Sequence, residues 1–510
     1  MGRVYDLFWR TLLRRALSSA LTLVLAFGAA YAVWDKTHTD RSCPAGERPK
    51  GSKECIGVAG DGYDFDVPQL HQVTAAISRE NDSLKPGSYV TVALLQPFTA
   101  QDAATRTSTV EQAQGAYLSQ YKANRQSNDQ SPKIRLVLAN VGANTAHWDI
   151  TVRRLKGMTG APDQLRAVAG VAFSNAPTQA AVTQLTQAGI PVVGSTMTAD
   201  SLANARTGPP RYPGLARVSP TNQDEARALI DFGRPDAKKA VLVKDTRTTD
   251  EYTDTLGTAF SRFLAGSPYE PGLFTSPPDP ADDGTTANTF QQITHLLCDS
   301  DADTVFFAGR HPQLRQFVNA LGERGCQQRA FTVTTGDEGA LLSADPKFDK
   351  GALKRKVSVR YAALAHPDAW TGGPGTPATG GSPTAYRTFA DLVTQARRPD
   401  VGPIGPLSLL DGEAIAAYDS LESAVTAIRQ ATVKDQTMPL IADVATQWPL
   451  MKGSLRVEGA SGWICLGNEG NPYDKAVPVV ELNPDGTPHL LRVAWPEGRP
   501  PQPSCLPPAP

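Results

Sequence analysis

The sequence predicts an α/β protein whose parallel sheets are covered by helices on both faces. Two patterns predict it. Short apolar and β-branched runs alternate with stretches of helical spacing from Tyr89 to Thr334, the rhythm of parallel strands joined by crossover helices. The apolar runs also stop at polar groups. Ala167–Phe173 ends at Ser174, and Ile190–Val193 ends in Ser195, Thr196 and Thr198. Open parallel sheets bind ligands at the carboxyl ends of their strands, where such groups stand.

The elements follow in order. Val67–Asn81 has the spacing of a short amphipathic helix. Tyr89–Leu95 is a strand ending in Gln96-Pro97-Phe98-Thr99, and Ser108–Asn124 is a helix carried by Val110, Ala113, Ala116 and Tyr117. Ile134–Ala139 is the next strand, and Trp148–Leu155 opens a helix. Ala167–Phe173 and Ile190–Val193 are strands, separated by a helix that closes at Gly189. Strand Ala240–Lys244 and helix Tyr252–Leu264 follow, then helix Phe290–Leu297, strand Thr304–Ala308, helix Leu314–Arg324 and strand Ala330–Thr334. Trp370–Pro383 reads WTGGPGTPATGGSP, which predicts an exposed, flexible loop. Tyr386–Ala396 and Gly412–Ala431 are helical patterns, and Gly453–Val457 and Ala476–Leu482 are late strands. The tail from Pro496 is Pro-rich and is expected to form no regular element, apart from a tether at Cys505.

The N-terminus differs from the rest. Arg3, Arg10, Arg14 and Arg15 precede an uncharged run, Ala16–Val33, with Trp9, Tyr31 and Trp34 at its ends. The run is long enough to cross a bilayer, and the basic cluster predicts that the N-terminus stays cytoplasmic. A cleavable signal peptide is the alternative, since Ala30-Tyr31-Ala32 fits a processing site. The anchor reading makes this a single-pass protein of the cell membrane, with a cytoplasmic arm at 1–15, the span at 16–34, and a stalk plus short helix at 35–87. Thr37–Gly62 reads as the polar stalk. No lipobox cysteine follows the apolar run.

With 510 residues and a formal charge of −1, the chain has no basic stripe for nucleic acid. Six cysteines in an exported chain predict disulfides, and proximity pairs Cys43 with Cys55, Cys298 with Cys326, and Cys465 with Cys505. Cys298 and Cys326 have added support, because each ends a helix at the same end of one βα unit. Free buried thiols are the alternative. The histidines are scattered and no C-x-x-C occurs, so no metal or other cofactor is expected. The chain also lacks a G-x-S-x-G elbow, an H-E-x-x-H pair and a P-loop, which argues against an enzyme.

Six blocks, in order, resemble the type 1 periplasmic binding proteins, in particular the branched-chain amino-acid (Leu/Ile/Val) receptors of ABC importers. They are VTVALLQPFT; Gly170 with Ser174; IPVVGSTMTADSL; Leu215–Pro220; Thr334–Gly339; and AAYDSLESAVTAI. The resemblance covers about 88–495. It implies two Rossmann-like lobes joined by three crossovers, lobe 1 from 88–216 plus 338–430 and lobe 2 from 217–337 plus 431–495. It implies a small amino-acid or amide-like ligand in the cleft, and an ABC permease or another membrane protein as partner. A ligand-sensing ectodomain without a transport role has the same fold. The segment after Lys244, Asp-Thr-Arg-Thr-Thr-Asp-Glu-Tyr, departs from the family's aromatic-Gly pair.

An α-amino acid needs two poles. Ser174, at a helix start, can hold a carboxylate together with free backbone N–H groups, and Ser195, Thr196 and Thr198 can add hydroxyls. Glu338, at the position that resembles the family's hinge acid, can take the ammonium, with Asp337 in reserve. Tyr252 can cover the ligand, and Arg310 can meet a second acidic group. Each has a plainer reading. Ser174 can be a helix cap, the 195–198 cluster can satisfy a loop, Glu338 can be a solvated turn acid, Tyr252 can be packing, and Arg310 can be a surface charge.

Overall fold

A computed structural model of the chain describes residues 43–127, 130–247, 249–277, 286–433 and 438–507. The arm and span expected at 1–15 and 16–34 lie outside the described residues. Among the described residues no helix is long and apolar enough to cross a membrane.

The first lobe is a seven-stranded sheet of order β1-β2-β4-β3-β5-β6-β7. The strands are β1 (Gly46–Glu47), β2 (Ile56–Ala59), β3 (Tyr89–Gln96), β4 (Lys133–Asn140), β5 (Leu165–Val171), β6 (Val192–Gly194) and β7 (Leu215–Arg217). β4, β3, β5, β6 and β7 run parallel, while β2 adds antiparallel to β4. Helices α1 (His71–Asp82), α2 (Ala103–Arg125), α3 (Trp148–Gly157) and α4 (Ala176–Gln187) cover it. From residue 43 on, the stretch expected as a polar stalk is therefore part of this lobe. Ile56 is fully buried, Val58 and Ala59 nearly so, and the Cys43–Cys55 disulfide staples the strand pair.

The second lobe comprises α5 (Asn222–Gly233), β8 (Ala240–Asp245), α6 (Glu251–Phe263), β9 (Gly272–Phe274), α7 (Thr286–Asp299), β10 (Thr304–Ala308), α8 (His311–Gly322), β11 (Phe331–Thr335), α9 (Gly351–Lys354) and β12 (Val357–Ala362). The chain then returns to the first lobe with α10 (Pro383–Gln395), α11 (Glu413–Ala431), α12 (Ile441–Ala445) and the hairpin β13 (Val457–Gly459) and β14 (Gly462–Ile464). It ends on the second sheet with β15 (Val477–Leu482) and β16 (Pro488–Ala494), giving the order β16-β15-β12-β11-β10-β8-β9. Each sheet is thus a parallel core with an antiparallel pair at one edge.

The chain passes between lobes three times, but the later passages differ from the expected 337/338 and 430/431. Residues 338–362 stay with the second lobe, because β12 pairs β11 from Phe331↔Val357 to Thr335↔Tyr361. Residues 438–464 stay with the first. Arg166 donates to the Pro439 carbonyl at 2.7 Å, and the Trp448 indole donates to the Gly214 carbonyl at 3.0 Å. Gly453–Leu455, expected as strand, is a short 3-10 turn before β13. The Gly/Pro-rich loop is not a free excursion at its ends. Trp370 is fully buried and meets Trp495 edge-on at 6.5 Å, and the Gly380 carbonyl accepts from the Trp463 N–H at 2.8 Å.

The cysteines pair as 43–55, 298–326 and 465–505. Cys505 tethers a tail that forms no helix or strand through residue 507.

α2 is buried along most of its length, polar residues included. Its glutamine amide N–H groups are tied individually: Gln114 donates to the carbonyls of Ile404 and Pro406, and Gln120 donates to Asn81 and the Ile134 carbonyl. This packing needs a close helix approach at Gly115, where a Cβ would lie 2.0 Å from the Ala414 carbonyl oxygen on α11. The backbone there cannot give way. Gly115→Ala is expected to lower stability by ~1–3 kcal/mol through overpacking, although helix propensity alone favours alanine by about 1 kcal/mol. Urea denaturation of the variant and the parent checks the sign.

Candidate functional site

The carboxyl ends of the two parallel sheets face each other across a cleft, and the sequence puts polar groups at each strand end. In the first lobe, β5 is followed by Ala172-Phe173-Ser174, and Asn175 caps α4 by accepting from the Thr178 N–H. Ser174 is therefore not the helix cap. In the second lobe, Asp250 caps α6, Arg310 precedes α8, and Asp337 and Glu338 follow β11. Glu338 stands at a strand end inside the second lobe rather than on a crossover. Asp102, which caps α2, completes the set from the first lobe.

Arg310 is the centre of the arrangement. Its Nε and Nη2 bond both oxygens of Asp250 at 2.9 Å, and its Nη1 bonds Glu338 at 2.6 Å. Its Nη2 also donates across the cleft to the Ser174 carbonyl at 2.7 Å. The guanidinium lies 4.7 Å from the Tyr252 ring centroid and 6.0 Å from that of Phe173. A cation this enclosed is tolerated only with matched acids and full hydrogen bonding. Burial pulls Arg310 down, but Asp250 and Glu338 outweigh it and keep it charged. Burial would raise the Glu338 carboxyl, yet Arg310 and His311 hold it at about 2.

His311 makes a second bridge. Its Nδ1 lies 3.1 Å from Glu338, and its Nε2 lies 3.3 Å from Asp102 on the opposite lobe. Burial pulls the imidazole down, but Asp102 and Glu338 raise it to about 9. Burial raises Asp102 and His311 lowers it, with a net result of about 2.

The other expected residues divide. Ser174 Oγ accepts from the Thr198 and Ala199 N–H groups at 3.2 Å, so its hydroxyl ties two loops of its own lobe. Thr198 Oγ1 donates to Asp337 at 3.3 Å, a further contact between lobes. Burial and then Glu338 raise Asp337 to about 7. Tyr252 is almost fully buried, its N–H donates to the Ser174 carbonyl at 3.1 Å, and its hydroxyl accepts from the Glu338 N–H at 3.3 Å. Gly336 makes room for it, since a Cβ there would sit 2.6 Å from the Tyr252 hydroxyl. Ser195 is not at the cleft. It donates to Gln112 at 2.9 Å within the first lobe.

Two spaces remain. The inner one, beside Ser174, Thr196, Thr198, Tyr252 and Glu413, is about 30 Å³, enough for a water or so. The outer one is a cavity of about 390 Å³ lined from both lobes, including Asp102, Phe173, Asp250, Arg310, His311 and Glu338. Asp102, Asp250 and His311 were not singled out from sequence. A cap position and a residue after a strand-end arginine are the only local signals they carry. Among the described residues no cluster of His, Cys, Asp and Glu is arranged to hold a metal ion.

The His311–Asp102 bridge gives a pH test. A raised histidine contributes stability that is fully present below its unfolded pKa, about 6.5, and is lost as pH rises through about 9. Asp102→Asn keeps a good N-cap but removes the charge. The stability gap between parent and variant is expected to be on the order of 1–2 kcal/mol near neutrality and to close above His311's folded pKa. Denaturant midpoints of both proteins across that range check it.

No protein-family model matches the chain, and no curated protein matches it. Solved structures do. A leucine-binding protein LivK from Thermotoga maritima aligns over 80% of this chain and 99% of its own, with a TM-score of 0.57 and 14% identity. The branched-chain amino acid transporter substrate-binding protein LivJ from Streptococcus pneumoniae, in complex with isoleucine, aligns over 80% and 99%, with a TM-score of 0.54 and 15% identity. A solute-binding protein of an ABC transporter from R. palustris, in complex with 4-hydroxybenzoate, aligns over 80% and 96%, with a TM-score of 0.54 and 15% identity. The chain has the two-lobed α/β fold of the type 1 periplasmic binding proteins.

Proposed function

We propose that the protein is an extracytoplasmic solute-binding protein, held to the membrane by segment 16–34, that takes a small carboxylate-bearing solute of the amino-acid or related organic-acid class for an ABC-type importer. One observation carries the reading. A cavity of about 390 Å³ opens between the carboxyl ends of two parallel sheets and is lined by charged groups from both lobes. Such crevices are where open α/β sheets bind ligands, and the volume suits a small molecule.

The structurally similar proteins support the solute class. Those crystallised with isoleucine and with 4-hydroxybenzoate hold ligands that share a carboxylate. Arg310 and Glu338 line the outer cavity, while Ser174, Thr196, Thr198 and Tyr252 border the inner one, so both layers belong to the proposed site. Ser195 serves it indirectly through Gln112, which lines the inner space. Support for the tether is the basic cluster and uncharged run of the sequence.

A ligand that binds only the folded state stabilises it by about 2.7 kcal/mol at a hundredfold excess over Kd. Thermal denaturation of the full-length protein with amino acids, amides and short organic acids is therefore expected to reveal at least one stabilising compound. If none of them raises the transition temperature, the solute reading fails. Permease and ATPase genes beside the coding gene are the expected mark of import.

A further inference from the structure

Resting on the solute-binding reading, the hydrogen bonds around Arg310 narrow the ligand class. A buried ammonium group needs acceptors with capacity to spare. The carboxylates lining the outer cavity are Asp102, Asp250 and Glu338, and the chain itself engages each of them. Asp250 accepts twice from Arg310 and again from the Tyr252 and Thr253 N–H groups. Glu338 accepts from Arg310, from the His311 N–H and from the His311 ring. Asp102 accepts from the Thr105 N–H and lies 3.3 Å from the His311 ring. The Ser174 carbonyl, on the facing lobe, is taken by Arg310 and the Tyr252 N–H.

Each of these acids is thus already paired with a cation of the chain, Arg310 or His311, whereas an anion meets a guanidinium with a donor to spare. Four of the five N–H groups of the Arg310 guanidinium are used in those bonds, which leaves one. The side chain keeps 15% of its surface exposed, and it borders both spaces of the cleft. The remaining wall is mixed, with apolar surface from Phe173 and several prolines beside polar groups that include Asn144, Asn175 and Arg247.

We propose that the cleft selects small carboxylic acids with a compact apolar body and no ammonium group, and that Arg310 makes the selection. The guanidinium stands as a built-in counter-cation where the ammonium of an amino acid would seek Glu338 and Asp250. It offers its remaining N–H to the carboxylate.

The test uses molecules on one carbon skeleton. Leucine carries both charged groups, isocaproate only the carboxylate, and isoamylamine only the ammonium; benzoate adds a flat acid. Affinities for the full-length protein are measured by titration calorimetry. The expected result is that isocaproate or benzoate binds at least about tenfold more tightly than leucine, a difference of about 1.4 kcal/mol, with no binding of isoamylamine. Leucine binding as tightly as the acids, or more tightly, overturns the selection by Arg310 and leaves the solute-binding reading standing. Failure of all four to bind overturns the selection, while the solute-binding reading is decided by the wider thermal screen.

Arg310→Gln frees Glu338 and Asp250 and is expected to reduce the preference for acid over leucine to within about threefold, while Arg310→Lys, which keeps the charge, retains part of it. Full preference in a folded Arg310→Gln protein overturns the role given to this residue. The comparison of ligands on the parent protein decides the ligand class even where that variant does not fold.

Discussion

The architecture turns on one buried cation. Arg310 sits between two carboxylates of its own lobe and a backbone carbonyl of the other. No member of that set is affordable alone in such surroundings, because an unpaired buried charge costs several kcal/mol. The strand ends that present them must therefore arrive together. The helix cap at Asp250, the turn at Gly336 and the aromatic face of Tyr252 all serve this single constellation. It also decides which surfaces of the two lobes can meet, since the Ser174 carbonyl is reached only when the carboxyl ends of the sheets face one another.

Around this centre the lobes touch mainly through polar groups. Thr198 meets Asp337, Asp102 meets His311, and the Asn222 N–H donates to the Thr198 carbonyl at 2.7 Å. Each lobe has its own apolar core. The second is built on a ladder of phenylalanines, with Phe274 stacked on Phe307 at 5.5 Å and Phe307 on Phe317 at 5.3 Å. Separate cores with a polar seam suit bodies that change their relative position without unfolding, because seam groups exchange partners with water at little net change.

Much of this was legible from the sequence, for a physical reason. Strands buried on both faces read as mostly apolar runs, and β3, β5, β8 and β10 do. β12 escaped because its VSVRYA pattern places Arg360 in the run, where it pairs with Glu481 at 2.9 Å. β2 escaped because four residues inside a Gly- and Lys-rich stretch carry too little pattern, and the edge of β4 supplies what they lack. At the cleft, Ser174, Arg310 and Glu338 were visible as polar residues after apolar runs. Their partners were not. Asp250 is 60 positions from Arg310, and the Ser174 carbonyl is 136 away. No local spacing encodes such pairs. The same separation explains Ser195, which follows a strand end as Ser174 does but turns to Gln112, 83 positions away in the same lobe.

Trp370 and Trp495 have a mechanical meaning. With Ala369, Ala476 and Val493 they form a small apolar knot of their own. Trp370 belongs to the second passage between lobes, and Ala476 ends the third. Lys475, beside it, donates to the Ser461 and Gly462 carbonyls at 3.1 and 3.2 Å. Two of the three connecting segments thus meet in one joint, while the first, at 218–221, contributes no residue to that knot. A linkage of this kind has a preferred axis. Hinged joints favour rocking over sliding of packed lobes, so side chains remote from the cleft bear on how it opens.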